Sequence, residues 1–176
     1  ADLSDDGEIQ KLIEKVKNTF VNIDILVNCA GVFPVKLLSD STVEDFENCF
    51  SVNVKAAFVL CKEFSQGMIS KKWGRIINIA SSSAYAGFKN TSIYCSSKHA
   101  LLGLSRSLHS ELKEHNVRTF CVSPGSIKTP MGKSVIGQNY ETFLNPNEIA
   151  ELIVRLVSFD NEMISQEIQL SRMDQQ

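Results

Sequence analysis

The chain has 176 residues, 43% hydrophobic and 22% charged, with a formal charge of −2, which gives room for one globular domain over 1–176 and for a sizeable core. Basic residues alternate with acidic ones, so there is no footprint for a nucleic-acid backbone. No apolar run approaches the ~18 residues of a membrane span, and the opening ADLSDDGEIQ lacks the basic and apolar regions of a secretory signal, so neither a membrane partner nor secretion is expected and a cytoplasmic location is.

Ser4 or Asp5 can cap a first helix whose apolar residues Ile9, Leu12, Ile13, Val16 and Phe20 recur at helical spacing. IDILVN, Ile23 to Asn28, is an apolar rather than alternating run, the pattern of a strand covered on both faces in a parallel sheet. Ser41 and Glu44 spell a capping box ahead of a helical region, 42–70, that reads as two helices meeting near Asn53. RIINIA, Arg75 to Ala80, is a second buried strand. The next helix starts near Ser92 and runs to about Glu114, burying Leu101, Leu104, Leu108 and Leu112. VRTFCVS, Val117 to Ser123, is a third strand. Asn145, Pro146 and Glu148 then open a helix through Ile149, Ile153 and Leu156, and Glu167 to Leu170 forms a last short strand. Strands alternating with helices predict an open α/β sheet with crossover connections.

Cys29, Cys49, Cys61, Cys95 and Cys121 are odd in number, lack a C-x-x-C pair and fall mostly in apolar segments, so they read as reduced core or near-core residues. His99, His109 and His115 share one charged helical stretch with no second cluster of ligand-type residues, so no metal is expected.

In open α/β sheets ligands bind beyond the carboxyl ends of the strands. After the first strand comes Asn28-Cys29-Ala30-Gly31, after the second Ser81-Ser82-Ser83, after the third Pro124-Gly125-Ser126-Ile127-Lys128-Thr129. Small residues there let a flat ligand approach the backbone, while hydroxyls and amides supply hydrogen bonds. A tyrosine four residues before a lysine occurs twice nearby, as Tyr85 with Lys89 and Tyr94 with Lys98. On a helix that spacing stacks a phenol and an ammonium, and the cation is expected to lower the phenol pKa toward neutrality. Tyr85 and Lys89 straddle Gly87 in a loop, whereas Tyr94 and Lys98 open a periodic helix thirteen residues after Ser81, so the second pair is the functional candidate.

Together these residues resemble the single-domain short-chain dehydrogenases/reductases, over essentially the whole chain up to about Ile168. NCAG is similar to that family's N-x-A-G segment, SVNV places Asn53 on its catalytic asparagine, IASSS places Ser81 on its catalytic serine, and YCSSK supplies Tyr94 and Lys98. SPGSIKT resembles the P-G-x-I-x-T stretch beside the nicotinamide, and Asp2-Leu3 the acidic and apolar pair beside adenine. The resemblance implies a Rossmann-like, doubly wound parallel sheet that uses NAD(H) or NADP(H). It implies hydride transfer between that cofactor and a carbonyl or alcohol substrate, with the 3-oxoacyl-carrier-protein reductase branch as the nearest comparison. Tyr94 is then the proton donor, Lys98 its electrostatic helper and a ribose ligand, Ser81 the holder of the substrate oxygen, and Asn53 the anchor of a water relay. Cofactor contacts fall on Asp2, Leu3, Asn28, Ala30, Gly31, Tyr94, Lys98, Pro124, Gly125, Ile127 and Thr129. Family members commonly assemble as homodimers or homotetramers through their long helices.

The strand, glycine-rich turn and second strand with which that family begins are not in the sequence, so it reads as the carboxyl-terminal two-thirds of such a domain, N-terminally incomplete. On that expectation the 176 residues alone neither grip a dinucleotide tightly nor fold robustly. The alternative is a catalytically inactive, truncated family member acting as a binding or structural protein. ISQEIQLSRMDQQ lacks the family's closing glycines, and the segment between Thr129 and Asn145, with Met131, Val135, Ile136 and Tyr140, suggests a modest, partly apolar pocket. Lys71, Lys72, Arg75, Lys113 and Arg118 suit either an acidic carrier or plain solvation at helix and strand ends.

Overall fold

A computed structural model describes residues 1–135, 137–162 and 165–173; Ile136, named above as a pocket residue, lies outside them. Among the described residues, five α-helices and four strands follow in the order α1 (Asp6–Thr19), β1 (Ile25–Asn28), α2 (Val43–Phe50), α3 (Ala56–Lys71), β2 (Gly74–Ile79), α4 (Ser92–Leu112), β3 (Val117–Pro124), α5 (Pro146–Ser158) and β4 (Glu167–Leu170). The strands pair in chain order, all parallel, with Asn28 opposite Asn78, Asn78 opposite Cys121 and Cys121 opposite Glu167. This is the Rossmann-like α/β arrangement.

The faces follow from strand alternation. Ile76 and Val117 pack with α3 and α4 residues on one face, where Ile9 and Ile13 of α1 also meet Ala56, Leu60 and Phe64 of α3. Ile77, Phe120 and Val122 face the other way, against Leu152, Ile153 and Leu156 of α5. That second cover stops short of β1. Ile25 and Val27 are each 44% exposed: β1 is the edge of the described sheet and only its α1/α3 side is packed, so the second face that its apolar run is patterned to bury is open among the described residues.

Asp5, one of the two expected candidates, caps α1, accepting from the Glu8 N–H at 2.9 Å. The box before α2 is Thr42 with Asp45 rather than Ser41 with Glu44. Thr42 Oγ1 accepts from the Asp45 N–H at 3.1 Å and the Asp45 carboxylate from the Thr42 N–H at 3.0 Å, while Ser41 Oγ donates to the Leu37 carbonyl. Asn145 caps α5 with Pro146 at its first position, as expected. The long helical region does break at Asn53, through a π-helical turn, Ser51–Lys55, between α2 and α3. Four cysteines are buried, but Cys29 is exposed because it follows the last paired residue of the edge strand.

Arg75 is fully buried at the start of β2, an unusual place for a cation. It is satisfied by carbonyls: it donates to Gly74 at 2.9 Å, Phe159 at 2.9 Å, Val157 at 3.3 Å and Asn116 at 3.4 Å, and pairs with Asp160 at 2.8 Å. The guanidinium therefore caps the end of α5 and ties it to the sheet.

Candidate active site

The site is built where β1, β2 and β3 end. Past β1, Gly31 brings the backbone against two polar side chains: a Cβ there would lie 3.3 Å from Asn53 Oδ1 and 3.7 Å from Lys98 Nζ. The next residue, Val32, is held on both sides by the Asn53 amide, donating to Oδ1 at 2.8 Å and accepting from Nδ2 at 3.0 Å. Nδ2 also reaches Ser97 Oγ at 2.9 Å and Cys49 Sγ at 3.3 Å. Asn53 is thus buried, with its side-chain amide bonded to Val32, Ser97 and Cys49.

After β2, Ser81 caps a short 3₁₀ turn, Ser82–Ala84, by accepting from the Ser83 N–H at 3.1 Å. Tyr94 stands in the first turn of α4 and Lys98 one turn later on the same face, both buried, with Nζ 5.7 Å from the phenol ring centroid. Lys98 Nζ donates to the Ile79 carbonyl at 2.9 Å, tying α4 to the end of β2. The Phe33 ring meets the Tyr94 ring edge-on, centroids 4.6 Å apart.

Burial governs the electrostatics. It pushes the Tyr94 phenol up, offset in part by a hydrogen bond from Ser81, and it pushes the Lys98 ammonium down to about 8. The expected lowering of the phenol is therefore not what this geometry gives: loss of water outweighs the Ser81 hydrogen bond, and the Lys98 ammonium bonds a carbonyl. Tyr85, the rival phenol, bonds to Glu167 Oε2 at 3.0 Å and sits apart from this cluster.

The structure brings Gly31, Asn53, Ser81, Tyr94 and Lys98 together. Asn28 turns into the sheet instead, donating to Asn78 Oδ1 at 2.8 Å and Cys61 Sγ at 3.3 Å. Cys29 and Ala30 are exposed beside it. Past β3, Pro124 ends the strand and the Gly125 N–H donates to the Leu170 carbonyl at 2.8 Å. Ile127 forms a bridge with Leu144, and Thr129 Oγ1 accepts from the Gly132 N–H at 3.0 Å, so that hydroxyl already serves the loop. Asp2 closes the chain start by accepting from Ser4 N–H and Oγ, while Leu3 packs on the α1–α3 cluster. The Asp6–Lys55 ion pair, 2.6 Å, holds this end of α1 near the Asn53 turn.

Sequence reading missed Ser97, which accepts from Asn53 and donates to the Tyr94 carbonyl at 2.8 Å. Its signal was a small polar residue three positions after Tyr94, on the tyrosine's own helical face. The basic residues considered for an acidic carrier lie elsewhere. Arg75 precedes Ser81 by a strand's length, about 20 Å at ~3.3 Å per residue. Lys71 pairs with Asp24, Arg75 with Asp160, and Arg118 bonds the Asn161 carbonyl, so this end of the sheet faces away from the cleft.

A family model described as "short chain dehydrogenase" matches residues 1–139. The 3-oxoacyl-[acyl-carrier-protein] reductase FabG of Aquifex aeolicus is 33% identical over 165 residues, covering 89% of this chain and 66% of that protein. Among solved structures, 4-hydroxyisoleucine dehydrogenase complexed with NADH superposes with a TM-score of 0.86 at 30% identity, over 97% of this chain and 77% of that one. The alcohol dehydrogenase of the archaeon Thermococcus sibiricus, complexed with 5-hydroxy-NADP, gives 0.87 at 26% identity, over 99% and 74%. The chain spans between 52% and 71% of the length of the curated relatives compared with it.

Proposed function

The chain belongs to the short-chain dehydrogenase family of oxidoreductases, and on that premise we propose that it interconverts a carbonyl and an alcohol with NAD(H) or NADP(H) as its two-electron partner. One observation carries the reading: Ser81, Tyr94 and Lys98 come from two different elements yet converge on the cleft beyond β2, beside a glycine whose missing side chain leaves room against Asn53 and Lys98. A scaffold has no physical need for that convergence.

The residues fit a nicotinamide dinucleotide. Gly31 keeps the backbone bare at the cleft, and Lys98 spends one of its three ammonium hydrogens on Ile79 among the described residues, which leaves donors for ribose hydroxyls. Ala30, Gly31, Tyr94, Lys98, Pro124, Gly125 and Ile127 would line it, with Asp2 and Leu3 toward the adenine end. When bound, the cofactor supplies the two-electron step. Tyr94 gives its O–H proton to the carbonyl oxygen in reduction and takes it back in oxidation. Ser81 holds that oxygen, and the charged Lys98 stabilises the phenolate left behind. Asn53 braces the Gly31–Val32 backbone against α4 and, on this reading, positions the water that links Lys98 to solvent. Phe33 covers the Tyr94 ring and keeps it dry.

We further take the chain as one oxidoreductase domain that pairs with a second copy. Phe46 and Phe50 stack at 4.2 Å beside Val54, Phe58 and Leu104, forming an exposed apolar groove across α2, α3 and α4 that a homodimer or homotetramer would cover. Sedimentation of a monomer at micromolar concentration would contradict it. The 3-oxoacyl reading rests on the relatives alone, since the basic residues weighed for a carrier face away from the cleft. The deciding experiment offers 3-oxoacyl thioesters, simple ketones, sugars, steroids and polyols to the intact protein with each nicotinamide in either redox state. Turnover of one class is expected. A cooperatively folded protein inactive on all of them would favour the non-catalytic, partner-binding alternative.

A further inference from the structure

The strand register places Asn28, Asn78, Cys121 and Glu167 side by side, one from each strand. By alternation all four lie on the face packed by α3 and α4, forming a polar row under the cleft. The row is bonded along its length. Asn28 donates to Asn78, whose Nδ2 donates to Ser105 Oγ of α4 at 2.9 Å; Cys121 lies against Ser105 and 3.8 Å from Ser123 Oγ. At the β4 end, Glu167 receives Arg106 of α4 in a two-pronged pair, 2.7 and 3.0 Å, and the Tyr85 hydroxyl at 3.0 Å.

Tyr85 also meets Ser123, two residues before Gly125. It closes the turn that begins at Ser81, where the Ala84 N–H donates to the Ser81 carbonyl at 2.9 Å and the Tyr85 N–H to Ser82 at 3.1 Å. One phenol therefore joins the Ser81 turn to β4, to the foot of the 124–129 segment and, through Glu167 and Arg106, to the helix that carries Tyr94 and Lys98.

Resting on the oxidoreductase reading above, we propose that Tyr85 is a positioning residue: its hydroxyl, bonded to Glu167, fixes the Ser81 turn in register with α4. The aromatic ring has a separate packing role against Ala84, Leu101 and Leu102, which Tyr85→Phe leaves in place. Two readouts separate positioning from packing. Amide exchange at Ala84 and Tyr85 in Tyr85→Phe should quicken about tenfold or more with β2 and β3 unchanged, because only the turn loses its anchor. With the fastest-reduced ketone of the panel above, kcat should fall about tenfold while KM stays within about twofold, as misplacement of a reacting group predicts. Adding Glu167→Ala to Tyr85→Phe should cost little more, because the two act as one unit. Unchanged exchange at the turn, unchanged kcat, or a loss that appears as a raised KM overturns the proposal. Tyr94→Phe is run alongside. If it keeps wild-type turnover, or if the wild type reduces no ketone, the oxidoreductase reading fails and the positioning role with it; an inactive Tyr94→Phe beside a fully active Tyr85→Phe sinks the positioning role alone.

Discussion

The side-chain amide of Asn53 holds both backbone polar groups of Val32, accepting from its N–H at 2.8 Å and donating to its carbonyl at 3.0 Å. The segment that leaves β1 is thereby fastened to the π-helical turn, and Gly31 is set beside Lys98. Asn53→Ala removes every one of these bonds and leaves Val32 and Ser97 with unmet partners. It should lower unfolding free energy by about 2 kcal/mol, read by urea titration, and reduce turnover about tenfold or more. Asn53→Asp keeps the acceptor for Val32 but loses the donors, and should fall between the two.

Lys98 is held at about 8 against an ordinary 10.5. Between those values the unfolded chain binds more protons than the folded one, so stability rises with pH across that window, and below it the cost of the buried ammonium is present in full. Lys98→Met removes that cost. The wild type should therefore gain about 3 kcal/mol relative to the variant between about pH 7 and about pH 11, measured as paired denaturant midpoints. Turnover that relies on a charged lysine should decline on the basic side from near pH 8, and a flat profile through that region would show that Lys98 does not act as a cation.

Arg75 and Asp160 form an ion pair, yet the energy should reside in the carbonyls. Asp160 is largely exposed, so Asp160→Asn should cost less than ~0.5 kcal/mol. Arg75→Ala strips the donors from Val157 and Phe159 at the end of α5, leaves a cavity, and should cost about 3 kcal/mol or more. Thermal unfolding of the two variants side by side checks the contrast.

The alternation of helices and strands was legible because buried parallel strands such as RIINIA are continuous apolar runs and α4 repeats its leucines at helical spacing. The grouping of Ser81, Tyr94 and Lys98 was legible for a related reason: two lie one turn apart and the third follows the end of the preceding strand. Long-range partners left no such trace. Glu167 is 82 residues from Tyr85, and only the register of β3 with β4 brings them together. The Thr42–Asp45 box escaped because Ser41 offers the same spacing one residue earlier, and the two differ only in where the helix starts. The upward shift of the Tyr94 phenol escaped because spacing shows the cation and not the loss of water around the ring.

The most direct test of the account is the turnover of Tyr94→Phe in the intact protein on its best carbonyl substrate. Phenylalanine keeps the ring against Phe33 and beside Lys98 and removes only the proton that Tyr94 is assigned to give. Turnover should fall by about 10²-fold or more with folding intact, the range that general acid–base catalysis commonly supplies. A Tyr94→Phe protein that reduces the same substrate at the wild-type rate would contradict the assignment of this cleft as the active site.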